Sequence, residues 1–411
     1  ILYPPSPTTK PSDDSKFTNK QTTNKMKKMN KTTQILGLTT AVLAANSAFA
    51  LPDFNTDLKA DLDPIWGYAT LYKNADNSVI QKLAFTGRLQ GDYYTTENKE
   101  GINGDGISDT DSDTTWRRAR VGFKATMFND FTVHSEAALN LENPEPLYGA
   151  LTDSYIAWHP TDDWKLKVGK QSAGFTLDGA TSSKKLTRIE RSLIGDNIWF
   201  KTEYFTGVTL SGGQDNWQWK GGVFSTTAAK EFDNAFDTSY FTLASVGYDF
   251  AEAFDSDKAL LRLDYVYQDE PDTEDYSDYT IGTAKHENVI SLSFQYDNGP
   301  KHIHTDLAYA EQFDGNDIYA LQIMPFYDLN DTFQIATSYT HIESDKAVLS
   351  VTKYAKNTAT GKTESADEFY LGLNTYLYGH KLKWQNGFSY TLTDDDEYEG
   401  LTFTSGIRIS W

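Results

Sequence analysis

The sequence predicts an all-β chain, a sixteen-stranded antiparallel transmembrane β-barrel with short periplasmic turns and long outer loops. Three observations predict it. Segment after segment alternates apolar and polar residues with a period of two, the signature of a strand with one buried face. Aromatic residues reach 14% (25 Tyr, 23 Phe and 9 Trp) although mean hydropathy is negative. Beyond residue 50 no stretch approaches the roughly 18 consecutive apolar residues of a membrane helix. A barrel hides its lipid face in alternate residues, so hydropathy averages erase it.

Residues 1–25 read as unstructured or upstream sequence, polar and rich in Lys, Thr and Pro. Residues 26–50 have the three parts of a secretory signal. Lys27, Lys28 and Lys31 supply the charge, Ile35 to Ala45 the short apolar run, and Ala48-Phe49-Ala50 the small-x-small cleavage pattern. The mature chain is thus expected to start at Leu51, with 51–81 a periplasmic N-terminal segment and 82–411 the barrel.

Strands are expected near 82–93, 116–127, 131–142, 151–159, 163–170, 202–211, 216–225 and 238–250, then 259–268, 285–297, 301–312, 317–327, 331–342, 367–378, 381–392 and 401–411. Most match the ~9–11 residues of a tilted membrane strand. The last is the clearest: Leu401, Phe403, Ile407, Ile409 and Trp411 oppose Thr402, Thr404, Gly406, Arg408 and Ser410. The segment 238–250 differs from the rest, because both its faces carry apolar residues. The terminal aromatic Trp411 resembles the signal by which barrel-assembly machinery takes up bacterial barrels. Turns at Asn129-Asp130, 159–162, 297–300, 329–330 and 379–380 are short, whereas loops at 94–115, 171–201, 269–284 and 343–366 are long. An even strand number places both ends of the barrel on the periplasmic side, in the bacterial outer membrane.

A soluble β-sandwich also gives alternating strands. It would not need aromatic girdles at strand ends, and an open sheet would leave backbone groups unsatisfied in lipid.

The first fifty residues hold seven lysines and two acids, so the following 361 carry 30 basic and 56 acidic residues, a formal charge of −26. Such an excess repels nucleic acid. The absence of cysteine excludes disulfides and thiolate chemistry.

A sixteen-stranded barrel is too wide for wall side chains to fill, so its lumen is expected to hold water. Selectivity then lies in inward polar residues. Alternation turns Arg118, Arg120 and Lys124 inward on the second strand and Arg88 and Gln90 on the first. A row of fixed cations offers a passing anion several weak sites in series. Pairing with inward carboxylates such as Asp92, Glu136 and Glu142 would instead cancel that field; charge balance leaves both outcomes open. The 171–201 loop carries Lys184, Lys185, Arg188, Glu190 and Arg191. A connection this long has a function more often than not, and either folds into the pore to narrow it or lies on the surface.

Gly87-Arg88-Leu89-Gln90-Gly91-Asp92-Tyr93 and Trp116-Arg117-Arg118-Ala119-Arg120 resemble paired opening motifs of the phosphate- and polyphosphate-selective porin O/P family. So do Asp153-Ser154-Tyr155-Ile156, Val168-Gly169-Lys170, Phe175-Thr176-Leu177-Asp178, Ala180-Thr181-Ser182-Ser183-Lys184 and Glu190-Arg191. The resemblance concentrates in residues 83–200; the second half agrees in strand pattern and terminal aromatic. It implies a homotrimer of barrels in outer-membrane lipid, each with its own pore and a third loop folded inward. It also implies passage of small anions such as phosphate past inward Arg and Lys, with Arg88, Arg118 and Lys184 in matching motifs. The chain departs from the family in its acidity and in the Asp run of 94–115.

Asp105, Asp109, Asp111 and Asp113 have oxygen ligands at calcium-like spacing, without the closing Glu of an EF-hand. A Ca²⁺ in an outer loop and a solvated acidic loop are the two readings. His302 and His304 share one strand face but lack a third ligand nearby in sequence. No nucleophile elbow, phosphate loop or His-Glu-x-x-His motif is present, so no enzyme is expected. The expected function is passive diffusion of small hydrophilic solutes, with anions such as phosphate preferred. The alternatives are a general or cation-leaning porin and a non-conducting surface-binding barrel.

Overall fold

The computed structural model describes residues 55–100, 109–200, 203–227, 229–271, 283–351, 362–393 and 398–411. The expected upstream segment and signal peptide lie outside them. The period-two segments form the strands β2 Ile80–Glu100, β3 Asp109–Met127, β4 Phe131–Leu139, β5 Tyr148–Trp158, β6 Trp164–Ser172, β7 Tyr204–Gln214, β8 Trp217–Ser225 and β9 Tyr240–Asp249. The second half gives β10 Lys258–Gln268, β11 His286–Asn298, β12 Lys301–Gln312, β13 Asp317–Asp328, β14 Phe333–Ser344, β15 Ser365–Tyr378, β16 Leu382–Thr393 and β17 Glu399–Ser410. Each pairs antiparallel with the next, and β17 returns to β2 from Gly400↔Asn98 to Ser410↔Arg88, closing a sixteen-stranded barrel. Closure leaves no edge with unsatisfied backbone groups in lipid.

Side chains alternate as the pattern requires. Phe123, Leu307 and Ile407 stand exposed on the outer wall, whereas Gln90, Asp306 and Lys383 are buried on the inner face. Beyond the expected strands lie a helix, α1 Asn55–Gly67, and a short strand, β1 Thr70–Lys73, which pairs with β2 at Lys82–Ala84 just past the end of β17. Trp66 Nε1 donates to Ser410 O (2.7 Å), and Gly87 and Trp411 exchange two backbone hydrogen bonds, so the barrel seam is covered at its periplasmic end.

One expectation is corrected. β2 and β3 run on through most of the 94–115 segment, as a hairpin extending past the membrane wall. Of the two courses open to the 171–201 loop, it takes the inward one and narrows the lumen. Residues 173–200, after β6, fold into the barrel with two short helices, α2 Leu177–Ala180 and α3 Leu193–Asn197. Phe175, Ile194, Ile198 and Phe200 of this loop pack on the inner faces of Phe205, Phe224, Phe241 and Leu243, and on Leu349 and Val351 of the β14–β15 loop. This explains the two apolar faces of β9: one meets lipid, the other an apolar core inside the barrel.

Candidate functional site

β2 and β3 bring the charged residues to the inner wall. Gln90 faces Arg118 but Gly91 faces Trp116, so β3 carries one extra residue at Arg117. Such a bulge re-aims side chains. Trp116 keeps its outward place, and Arg117 joins Arg118 in reaching Glu190 inside the barrel.

The inward loop is fixed because its backbone polar groups, removed from water, need partners. The wall supplies them. Leu177 N donates to Asp306 Oδ2 (2.7 Å), and Arg262 Nη2 to Thr176 O (2.9 Å). Lys383 Nζ donates to Leu186 O (2.6 Å), while Asn374 and Gln385 donate to Thr187 O (2.8 and 3.2 Å). Tyr370 OH accepts from Ile189 N (3.2 Å), and Arg408 Nη2 donates to Ile189 O (3.1 Å). On β2, next to β17, Gln90 Nε2 donates to Ser183 O (3.1 Å).

The loop and wall then place a carboxylate beside almost every sequence-predicted arginine. Arg88 reaches Glu136 (2.9 Å) and Ser183 Oγ (2.6 Å). Arg118 donates to Gln90 Oε1 (2.9 Å) and lies 3.7 Å from Glu190. Arg120 pairs with Glu203 (3.2 Å) and bonds Tyr204 OH. Arg188 pairs with Glu368 (2.6 Å) on β15, and Arg191 approaches Glu203 (3.7 Å) while lying over the Trp199 ring. Arg408 of β17 pairs with Asp92. All six arginines are at most 9% exposed. Of the two outcomes left open by charge balance, pairing describes the arginines. Burial would raise the Glu203 carboxyl, but Arg120, Arg191, Arg118 and Arg88 outweigh it and hold it at about 2.

The lysines differ. Lys124 is exposed on the inner face of β3, Lys184 is half-buried on the loop, and Lys185 is exposed beside it. Val168 and Val208 face outward as paired neighbours, which turns Lys165 and Lys167 of β6 inward. Lys220 of β8 donates to Ala173 O and Gly174 O (3.0 and 2.6 Å). Among the described residues, no carboxylate lies within 4.0 Å of Lys124, Lys165, Lys167, Lys184 or Lys220. Burial and then Arg88 lower the Lys184 ammonium to about 8, Arg120 adding to this and Glu136 and Asp153 opposing it. In the turn between β5 and β6, burial lowers His159, and Lys165, Lys124 and Lys167 lower it further against Asp130. Cations thus run from the loop apex to the periplasmic turns.

Beneath the loop, a cavity of about 890 Å³ opens among Lys185, Arg262, Asp297, His302, Asp328 and His380. A second, of about 500 Å³, lies under β6–β9 beside Lys165 and Lys220. On the outer side of the loop a pocket of only about 50 Å³ remains beside Glu190 and Arg191. His302 and His304 both face Asp297 Oδ1 (2.7 and 3.0 Å), and His302 also reaches Asp328 (3.0 Å).

The calcium candidates lie partly among the described residues. Asp109, Asp111 and Asp113 belong to β3, an extended backbone where the spacing suggested a ligand-bearing loop. Asp105 and the Asp109 side chain lie outside the described residues, and among those described no three His, Cys, Asp or Glu side chains gather as metal ligands. Sequence reasoning missed Arg117, Lys165, Lys167, Lys220, Glu203 and Arg408 as parts of the site. Alternation alone places Lys165, Lys167 and Arg408, whereas the Arg117 bulge has no local sequence signal.

The fold is shared with solved barrels at identities that speak to fold alone. OmpT, folded in vitro, an outer membrane protein of Vibrio cholerae, is 15% identical with a TM-score of 0.54, over 83% of this chain and 99% of that one. The anion-selective porin from Comamonas acidovorans is 11% identical with a TM-score of 0.56, over 80% and 99%. Salmonella typhi OmpF, in complex with daunomycin, is 13% identical with a TM-score of 0.54, over 83% and 100%. No curated protein matches the sequence. The family model for phosphate-selective porins O and P matches residues 83–320, which take in β3, most of β2 and the inward loop, while Glu368 of β15 and Arg408 of β17 lie beyond it. The chain therefore belongs to the phosphate-selective porin O and P family, barrel porins of the bacterial outer membrane.

Proposed function

We propose that the protein is a passive diffusion pore for small hydrophilic solutes that prefers anions such as phosphate, and that it works as a homotrimer with one pore per chain. The observation that carries the anion preference is the contrast between two sets of cations. The arginines are held by carboxylates, so their fields largely cancel. Lys124, Lys165, Lys167 and Lys184 face the lumen without a carboxylate in ion-pairing range among the described residues. A line of such charges gives weak sites in series, and the solute gradient supplies the drive. The arginine residues Arg88, Arg118, Arg120, Arg188 and Arg191 are assigned the task of holding the loop, with Lys184 half-buried and Lys185 exposed at its apex.

A cation-leaning pore is the second reading, favoured by Asp257, Asp297, Asp328 and Asp331 around the larger cavity. The zero-current potential across a bilayer separating two KCl concentrations discriminates them. Its sign must correspond to chloride as the more permeant ion; the opposite sign removes the phosphate reading. Intact barrels without any conductance would instead favour a structural, surface-binding role.

A further inference from the structure

Glu190 sits at the meeting point of three guanidinium groups from two strands. Arg117 grips it with both arms of its fork, Nε to Oε1 (2.7 Å) and Nη2 to Oε2 (3.1 Å). Arg118 Nη1 and Arg408 Nη2 stand 3.7 and 3.8 Å from Oε1. The carboxylate belongs to the loop, whereas Arg117 and Arg118 belong to β3 and Arg408 to β17, on either side of β2. The arginines are wall residues and the acid arrives with the loop. A guanidinium fork binds a carboxylate and a phosphate oxyanion by the same two parallel N–H···O bonds. Asp92 already answers Arg408 and Gln90 answers Arg118, so the wall groups stay oriented whatever fills the centre.

We propose that Glu190 is a tethered competitor for permeating oxyanions, its carboxylate occupying the place an oxyanion would take among Arg117, Arg118 and Arg408. The residue thereby sets how tightly the pore holds oxyanions: it keeps three clustered cations from trapping the solute, and leaves conduction to the more weakly binding lysines. This rests on the anion-conducting reading above but makes a separate claim.

The test uses the full barrel in planar bilayers, with KCl current titrated by inorganic phosphate. Glu190→Gln keeps the side-chain shape and removes the competing charge. It is expected to lower the half-blocking phosphate concentration by about fivefold or more, the scale of one lost charge-assisted contact. Glu190→Asp keeps the charge but withdraws it by one methylene from Arg118 and Arg408; an intermediate lowering is expected, and this variant serves where Glu190→Gln fails to fold. A half-blocking concentration unchanged or raised in whichever variant folds overturns the proposal. A cation-preferring wild type whose Glu190→Gln variant gains phosphate block would remove the anion reading and keep the competitor. An anion-preferring wild type with an indifferent variant would do the reverse.

Discussion

Lys383 Nζ, on the inner face of β16, donates a 2.6 Å hydrogen bond to Leu186 O at the apex of the inward loop. The lysine is fully buried. Gln385 and Asn374 reinforce the same stretch of backbone, so the loop position is set by donors on β15 and β16. Replacing Lys383 with Met keeps its volume but leaves the Leu186 carbonyl only the longer bond from Gln385 (3.2 Å). Losing a hydrogen bond from a charged donor costs about 1.5–3 kcal/mol. Thermal unfolding of the detergent-solubilised barrel should shift downward accordingly, and single-channel current should become noisier as the loop loosens. Unaltered melting and noise would mean that Lys383 does not position the loop.

The apolar core inside the barrel is the second determinant of loop position. Phe200 is buried between Phe175, Phe205 and Phe241, with ring centroids 5.0, 5.8 and 5.0 Å away. Phe200→Ala should cost about 3–5 kcal/mol, the range for a buried aromatic removed from a packed core. Because this core holds the loop inside the barrel, conductance should rise as stability falls. Lower stability without higher conductance would show that the core is not part of the constriction.

The lysine line predicts a pH effect of definite sign. Lys184 has its proton affinity lowered to about 8, so it is charged below that value and neutral above it. Anion preference, read as the zero-current potential in a KCl gradient, should therefore weaken as pH rises from 7 to 9. Lys184→Arg should reduce this step, since guanidinium stays charged throughout the range. A potential that is flat in wild type, or a step of undiminished size in the arginine variant, assigns the titration elsewhere.

The seam offers a test of assembly. Gly87 pairs with Trp411, and a Cβ at Gly87 would collide with the Trp411 ring and with Arg120 O. Gly87→Val should lower the yield of folded barrel, measured as the fraction that migrates faster on gels before heating. Full yield would mean the seam tolerates displacement of the terminal aromatic.

Much of this architecture was legible in the residues because barrel strands obey one local rule. Each of β2 to β17 overlaps an expected strand segment, β9 alone from one with apolar residues on both faces, and the turn at Asn129-Asp130 marks where one strand ends and the next begins. The rule failed where tertiary partners decide. β2 and β3 extend past the membrane because they pair with each other, as Asn98↔Asp109 shows, rather than because their outer residues read as strand. The inward loop has no period, and its apolar residues Phe175, Ile194 and Phe200 gave no hint of which wall would receive them. Parity turns Arg88, Arg118 and Arg120 inward, and all three are buried. Their partners Glu136, Glu190 and Glu203 could not be assigned, since each pair spans at least 48 residues of chain.

The most direct test compares the two sets of cations in one measurement of zero-current potential. The account predicts that replacing Lys124, Lys165, Lys167 and Lys184 together by Gln abolishes the anion preference. Replacing the Arg88–Glu136 pair by Gln at both positions should leave it nearly unchanged. Preference that survives loss of the lysines but vanishes with the arginine pair would contradict it.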